Sequence, residues 1–363
     1  MNITLQKIEG NYQGNDSFVL ARCGVLGRGD RLLMTAQKID LDASDVFSPI
    51  YVSESTDTGK SWSGFHRDPA FEDYFSSDGT RWIFGDVTHV FHKKTCVSLV
   101  VGRLFSYPYG QNAPRGDVKN YICYAVYNEE KRCFDEVRRV DADGDYPFGI
   151  TSWGSQLVED KNGDLLIPVA IRRDNAHYTS AVVRCSFDGT RLSFVGISNE
   201  IDVPTKRGVF EASLIEFDGR YYLTLRHDDA GYVSVSNDGK GFSVPAVWCW
   251  DDGEPLPTYN TQQHWLNCGD KLYLVYTRKA ENNGHVFRHR APLFMAEVDT
   301  ERVRVVRSTE KIVVPERGAR LGNFGVTLLP DGSSMIVAAE WMQPKGCEKY
   351  GSDNSIFIVN VLN

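Results

Sequence analysis

Apolar positions in this chain come in short runs, not in helical stripes. Runs of five to seven β-branched, aromatic and aliphatic residues recur at 96–101, 121–127, 165–171, 181–185, 221–225, 271–276 and 334–339, bounded by Gly, Asp, Asn and Pro. No 15-residue segment repeats apolar residues at i, i+3, i+4 and i+7. Asp-Gly pairs at 78–79, 143–144, 188–189, 218–219, 238–239, 252–253 and 331–332 supply tight turns between these runs. The pattern predicts an all-β protein.

The runs also repeat as a group. The order "apolar strand, turn with Asp or Gly, apolar strand, long loop, apolar strand, polar turn, aromatic" fits Phe18 to Trp62, Trp82 to Phe134, Ser152 to Phe194, Glu211 to Phe242, Gln263 to Val305, and Phe324 to the C-terminus. Its strand-turn-strand opening is clearest at 157–167, 214–223 and 326–337. Six units of about 60 residues suit the four-stranded blades of a propeller with long loops. The last unit is a strand short. Residues 3–8 can supply it beside 356–361, which closes the ring and removes both free edges. The expected architecture is one six-bladed β-propeller over 1–363, although length alone would suggest two or three domains.

Composition narrows the function classes. The chain has 40 Lys and Arg against 48 Asp and Glu, a formal net charge of −8, and no basic block, which argues against nucleic acid as a partner. The hydrophobic share of 42% is that of a globular protein, and no apolar run approaches the ~20 residues that span a bilayer. The first residues carry no basic region followed by a long apolar stretch. The compartment expected is therefore the cytoplasm, or the periplasm or exterior if a leader has been removed. The eight cysteines include no C-x-x-C, and most sit in or beside strand-like runs, which reads as buried thiols. No metal-ligand spacing is present, so no metal or other cofactor is expected.

Ser55-Thr56-Asp57-Thr58-Gly59-Lys60-Ser61-Trp62 fits S-x-D-x-G-x-x-W at every fixed position. Ser and Asp side chains bond turn backbone, Gly takes a positive φ, and Trp packs between sheets. Shorter versions begin at Ser236 and Ser186. These Asp-box turns report on fold, not on chemistry. With them the chain resembles the sialidase (neuraminidase) superfamily of six-bladed propellers. A bacterial sialidase-like subgroup is similar at 259–265 and at 288–294.

The resemblance implies a site where local patterns agree. Arg22, before an apolar strand and a Gly turn, corresponds to the first arginine of a carboxylate-binding triad. Asp45, ten residues ahead of the first Asp-box, corresponds to the general acid, with Asp42 as the alternative. Glu211 opening a strand and Arg226 closing the next reproduce the mid-chain Glu and second arginine. Arg288 and Arg290 both qualify as the third, and Glu340 as the residue bracing the first. The family's Tyr nucleophile has no counterpart, because 320–326 contains no Tyr.

Residue chemistry points the same way. Several arginines converging on one pore imply an anionic ligand, since guanidinium binds carboxylate bidentately. Asp45 and Glu211 form a carboxylate pair of the kind glycoside cleavage needs. His264, in Gln262-Gln263-His264-Trp265, is a candidate ligand contact or proton carrier. Gln263 and Tyr259 are candidate substrate contacts, Trp153 and Trp265 can stack on a sugar face, and Arg320 is a further cation. His227, His285 and His289 are weaker candidates. Three functions remain open: a sialidase-like glycoside hydrolase removing a terminal anionic or modified sugar, a polysaccharide lyase acting on uronates, and a non-catalytic carbohydrate-binding propeller.

Overall fold

A computed structural model of the chain describes all residues except 11, 28, 30, 44, 112, 115–118, 145, 147, 173–176 and 363. Six antiparallel sheets form six blades around one axis. Their innermost strands are Asp16–Leu26, Arg81–His92, the short pair Ile150–Thr151 and Val158–Glu159, Phe210–Phe217, His264–Cys268 and Gly325–Leu328. Each then steps outward by hairpins. In blade 4, Phe210–Phe217 turns into Arg220–Arg226 through Asp218 and Gly219, whose φ values of +51° and +74° make the twisted two-residue turn that an Asp-Gly pair favours.

Blade 6 is completed from the other end of the chain. Asn2–Ile8 pairs antiparallel with Ile356–Leu362 in an unbroken register from Asn2↔Leu362 to Ile8↔Ile356. Both edges that a linear array would expose are thereby paired.

The core lies between blades, not at the axis. Each of the six blade–blade contacts holds its own apolar cluster, such as Val101, Ile122, Ile167 and Val183 between blades 2 and 3. A seventh, with Leu20, Phe47, Phe105 and Trp341, sits where blades 1, 2 and 6 meet at one end of the axis. Strand residues therefore bury both faces, which is why the sequence shows solid apolar runs instead of alternation. The Asp-box aromatics feed this arrangement. Trp62 packs against the cluster between blades 1 and 6, and Phe242 is part of the one between blades 3 and 4. Ser55 Oγ donates to Asp57 Oδ1 at 2.8 Å and accepts from Gly59 N at 2.8 Å, closing the first box.

All eight cysteines are free thiols. Five are buried, but Cys96 is exposed and Cys133 and Cys249 are half-buried, because they fall at turns and blade edges. The buried-thiol expectation is corrected for those three.

Candidate functional site

Three innermost strands share one irregularity. In each, two residues oppose a single residue of the neighbouring strand: Leu20-Ala21 opposite Ala36, Asp86-Val87 opposite Gly102, and Glu211-Ala212 opposite Leu225. The first residue of each bulge lies in the left-handed region, with φ of +56°, +52° and +48°. For non-glycine residues this costs on the order of 1–3 kcal/mol each, and such bulges re-aim side chains. All three side chains turn into one cleft of about 740 Å³, at the end of the axis where the innermost strands begin.

The cleft is crowded with cations. Arg103, Arg207, Arg226, Arg288, Arg290 and Arg320 line it, against Asp42, Asp45, Asp86 and Glu211. Some charges pair. Arg226 Nη1 meets Glu211 Oε1 at 2.5 Å, and its Nε donates to Asn260 Oδ1 at 3.0 Å. Arg207 pairs with Asp228, and Asp42 with Lys345 at 2.6 Å. Among the described residues, Arg103, Arg288, Arg290 and Arg320 form no ion pair. Arg290 leans on neutral oxygens instead, donating to Asn260 O at 2.6 Å and Asn323 Oδ1 at 3.3 Å. Arg320 donates to Gln343 Oε1 at 2.7 Å and lies 3.8 Å from the ring centre of Trp341.

The crowding shifts these groups. Burial, then Arg226 and Arg320, pull Arg290 well below the usual guanidinium range. Burial and Arg288 bring Arg320 down to about 9, against the opposing charge of Asp45. Burial pushes the Glu211 carboxyl up, but Arg226 and Arg290 outweigh it and hold the group below its usual range, so it is ionised at neutral pH. Glu211 Oε2, Arg290 Nε, Arg320 Nε and Arg103 Nε are buried without a hydrogen bond of good geometry. Buried polar atoms are rarely left this way. The cleft is a cation-rich cavity that a negatively charged ligand would relax.

Of the residues singled out from sequence, Asp42, Asp45, Trp153, Glu211, Arg226, Arg288, Arg290 and Arg320 line the cleft. Arg22, Glu340, His264, Gln263 and Tyr259 do not. Arg22 lies below the cleft on the axis, 3% exposed in its side chain, with Nη1 on Asp86 Oδ1 at 2.8 Å and Nη2 on Gln262 Oε1 at 3.4 Å. Leu20 lines the cleft from that strand instead, because the bulge precedes Arg22. Glu340 braces Arg317, not Arg22, and accepts from the backbone N–H groups of Asp353 and Ser355. His264 is sealed in the axis, with Nδ1 2.8 Å from Ser213 Oγ and its ring edge-on to Phe324. Burial and Arg22 drive it down to about 3, so it is neutral at physiological pH. Gln263 accepts from Thr224 Oγ1 away from the cleft, and Tyr259 packs against His289 and Lys279. Trp265 is core, while Trp153 reaches the cleft. His227, His285 and His289 bond Thr205, Glu316 and Asn283 outside it.

Sequence reasoning passed over Asp86, Arg103 and Asn323, which line the cleft, and Asn260, which holds both Arg226 and Arg290. Asp86 and Glu211 head equivalent bulges in blades 2 and 4, so aligning the two units on the turn that ends the strand would have marked Asp86.

The sequence matches no family profile and no curated protein. Solved structures do match. A protein of unknown function from Dyadobacter fermentans superposes with a TM-score of 0.70 at 14% identity, over 99% of this chain and 99% of that one. Trypanosoma rangeli sialidase gives 0.67 at 15% identity over 98% of this chain and 59% of that one. A Hadza microbial sialidase gives 0.66 at 14%, over 95% of this chain and 66% of that one. The chain thus spans about three fifths of the trypanosomal enzyme, and what it shares with these proteins is the six-bladed fold of sialidase propellers.

Proposed function

We propose that the cleft is the active site of a glycoside hydrolase that removes a terminal sugar carrying a carboxylate. One observation carries the reading: cations without acid partners converge on a cavity whose floor holds an ionised glutamate with one unbonded oxygen. The Trypanosoma rangeli sialidase, of the same fold, is known in complex with sialic acid, which supports the choice of a carboxylated sugar. Arg290 and Arg288, with Arg226 and Arg320 beside them, hold the carboxylate. Glu211, kept ionised by Arg226, is the base that activates water. Asp45, on the loop between the second and third strands of blade 1, is the acid. Asn323 stands in the cleft at the start of blade 6 and is no nucleophile, which leaves two routes: attack by water with inversion, or a nucleophile placed elsewhere in the cleft, where Tyr178 also stands.

The test is turnover of aryl glycosides of sialic and uronic acids, with Glu211→Gln and Asp45→Asn. Each variant should lose at least about 100-fold in kcat while remaining folded. Wild-type rates in both would end this assignment. A product absorbing near 235 nm, the mark of an unsaturated uronate on chemical grounds, would select the lyase. Binding without turnover would select a lectin-like role.

A further inference from the structure

The uncompensated charge in the cleft lies in two places. Arg288, Arg290 and Arg320 form one group, on the loops of blades 5 and 6. Arg103 stands apart on the second strand of blade 2, Val97–Tyr107. In a ring of six, blade 2 faces blade 5 across the axis. The cations between them, Arg207 and Arg226, are already neutralised by Asp228 and Glu211. A single carboxylate held against blade 5 therefore leaves Arg103 unanswered.

Among the described residues no acid pairs with Arg103, and aromatic rings hold it in place. Its guanidinium carbon lies 4.0 Å from the ring centre of Phe105 and 4.7 Å from that of Trp153. Stacking on two rings fixes the plane of the fork and leaves its edge for a ligand. Trp153, Tyr178 and Phe210 form one cluster of rings with centres 5.3 to 5.7 Å apart, a wall of the kind that sugar faces stack on. A second cavity of about 160 Å³ opens beside the first and shares Arg103, Phe105, Trp153 and Tyr178 with it. There Arg172 lies 5.1 Å from the ring centre of Phe148. The main cleft alone, at about 740 Å³, is in the upper part of the roughly 300–1,000 Å³ that takes a drug-sized ligand, more than one hexose fills.

From this arrangement we infer that the ligand is a glycan with two anionic groups on adjacent sugars. The terminal carboxylate sits against Arg288, Arg290 and Arg320, and a second anion, a sulfate ester or another carboxylate, sits on Arg103. The neighbouring sugar ring lies along Trp153 and Tyr178. This rests on the reading of the cleft as an anionic-sugar site and names the substrate class it takes.

Calorimetric titration of the full chain with three probes tests it: a uronate disaccharide, the same disaccharide sulfated on the second sugar, and a disialyl disaccharide. At least one of the two-anion probes should bind about tenfold or more tighter than the uronate disaccharide, and which one does tells sulfate from carboxylate. In Arg103→Gln that preference should collapse to within about twofold, whereas Arg290→Gln should weaken all three probes. A thermal melt of Arg103→Gln within about 3 °C of wild type confirms that the fold is kept. No preference in the wild type, or a preference that survives Arg103→Gln, overturns the two-anion assignment while leaving the one-anion site standing. Failure of all three probes to bind overturns both.

Discussion

Two acid–arginine pairs grow from the same device in this fold and end in different states. Asp86 and Glu211 each head a bulge on an innermost strand, in blades 2 and 4, with positive φ. Each puts one oxygen on an arginine, Asp86 on Arg22 and Glu211 on Arg226. Beneath Asp86 the arginine is nearly saturated: four of its five N–H groups donate, to Phe324 O, to Asp86 and Val87 O, and to Gln262. Above Glu211 the pairing is looser, for Oε2 makes no hydrogen bond of good geometry and the nearby Arg290 has a bare Nε. The first arginine has little capacity left and ties blades together. The second pair keeps capacity for a ligand.

Mutation should separate the two. The largest effect on function is at Glu211. Glu211→Gln keeps the shape but leaves the buried Arg226 without its acid, so it should lose at least about 100-fold in turnover and also lower the unfolding midpoint. Arg22→Gln should lower the midpoint without removing a group from the cleft. Removing one partner of a buried pair leaves Asp86 uncompensated and costs about 3–5 kcal/mol, readable as a shift in denaturant midpoint. If Arg22→Gln melts like wild type and abolishes binding, the contrast is wrong. The smallest effect comes from the opposite rim, where acids have only turn partners. Hydrogen bonds from the Ser61 side chain and backbone hold Asp57 at about 2, and the backbone of Gly241 and Lys240 does the same for Asp238. Folded pKa values below the unfolded ones mean stability that is present above about pH 4 and lost as pH falls towards 2. Asp57→Asn should flatten that acid limb in a pH series of thermal melts. An unaltered limb would remove the Asp-box from the comparison.

The fold was legible because its signals are local. Asp-Gly turns, Asp-boxes and apolar runs each act within a few residues, and the predicted strands at 271–276 and 334–339 match the observed ones residue for residue. The site was half legible, and the misses have one cause. Along an extended segment adjacent side chains point in opposite directions, so a one-residue error in register selects the wrong face. Gln263 was chosen where Gln262 lines the cleft, Tyr259 where Asn260 holds the arginines, and Glu340 where Trp341 reaches the cleft. Arg22 is two residues beyond the one that faces in, because a bulge intervenes that nothing in Phe18-Val19-Leu20-Ala21 announces. Glu211 and Arg226 were found through the family resemblance, whose order of Glu, Gly turn and Arg the tight hairpin at Asp218-Gly219 preserves.

Arg22 also bears on how the ring comes to be whole. Its partners lie 64, 65, 240 and 302 positions along the chain, on blades 2 and 6 and just ahead of blade 5. No single blade or neighbouring pair can satisfy this side chain. A partly assembled ring would carry a cation drawn out of water with some of its acceptors still missing, a state that burial penalises heavily. Each missing segment thus raises the free energy of the incomplete arrangements that have already buried Arg22, which favours cooperative assembly of the blades. Long loops must close before the axis pays back, so assembly is governed by contacts distant in sequence and is slow by comparison with a helical bundle.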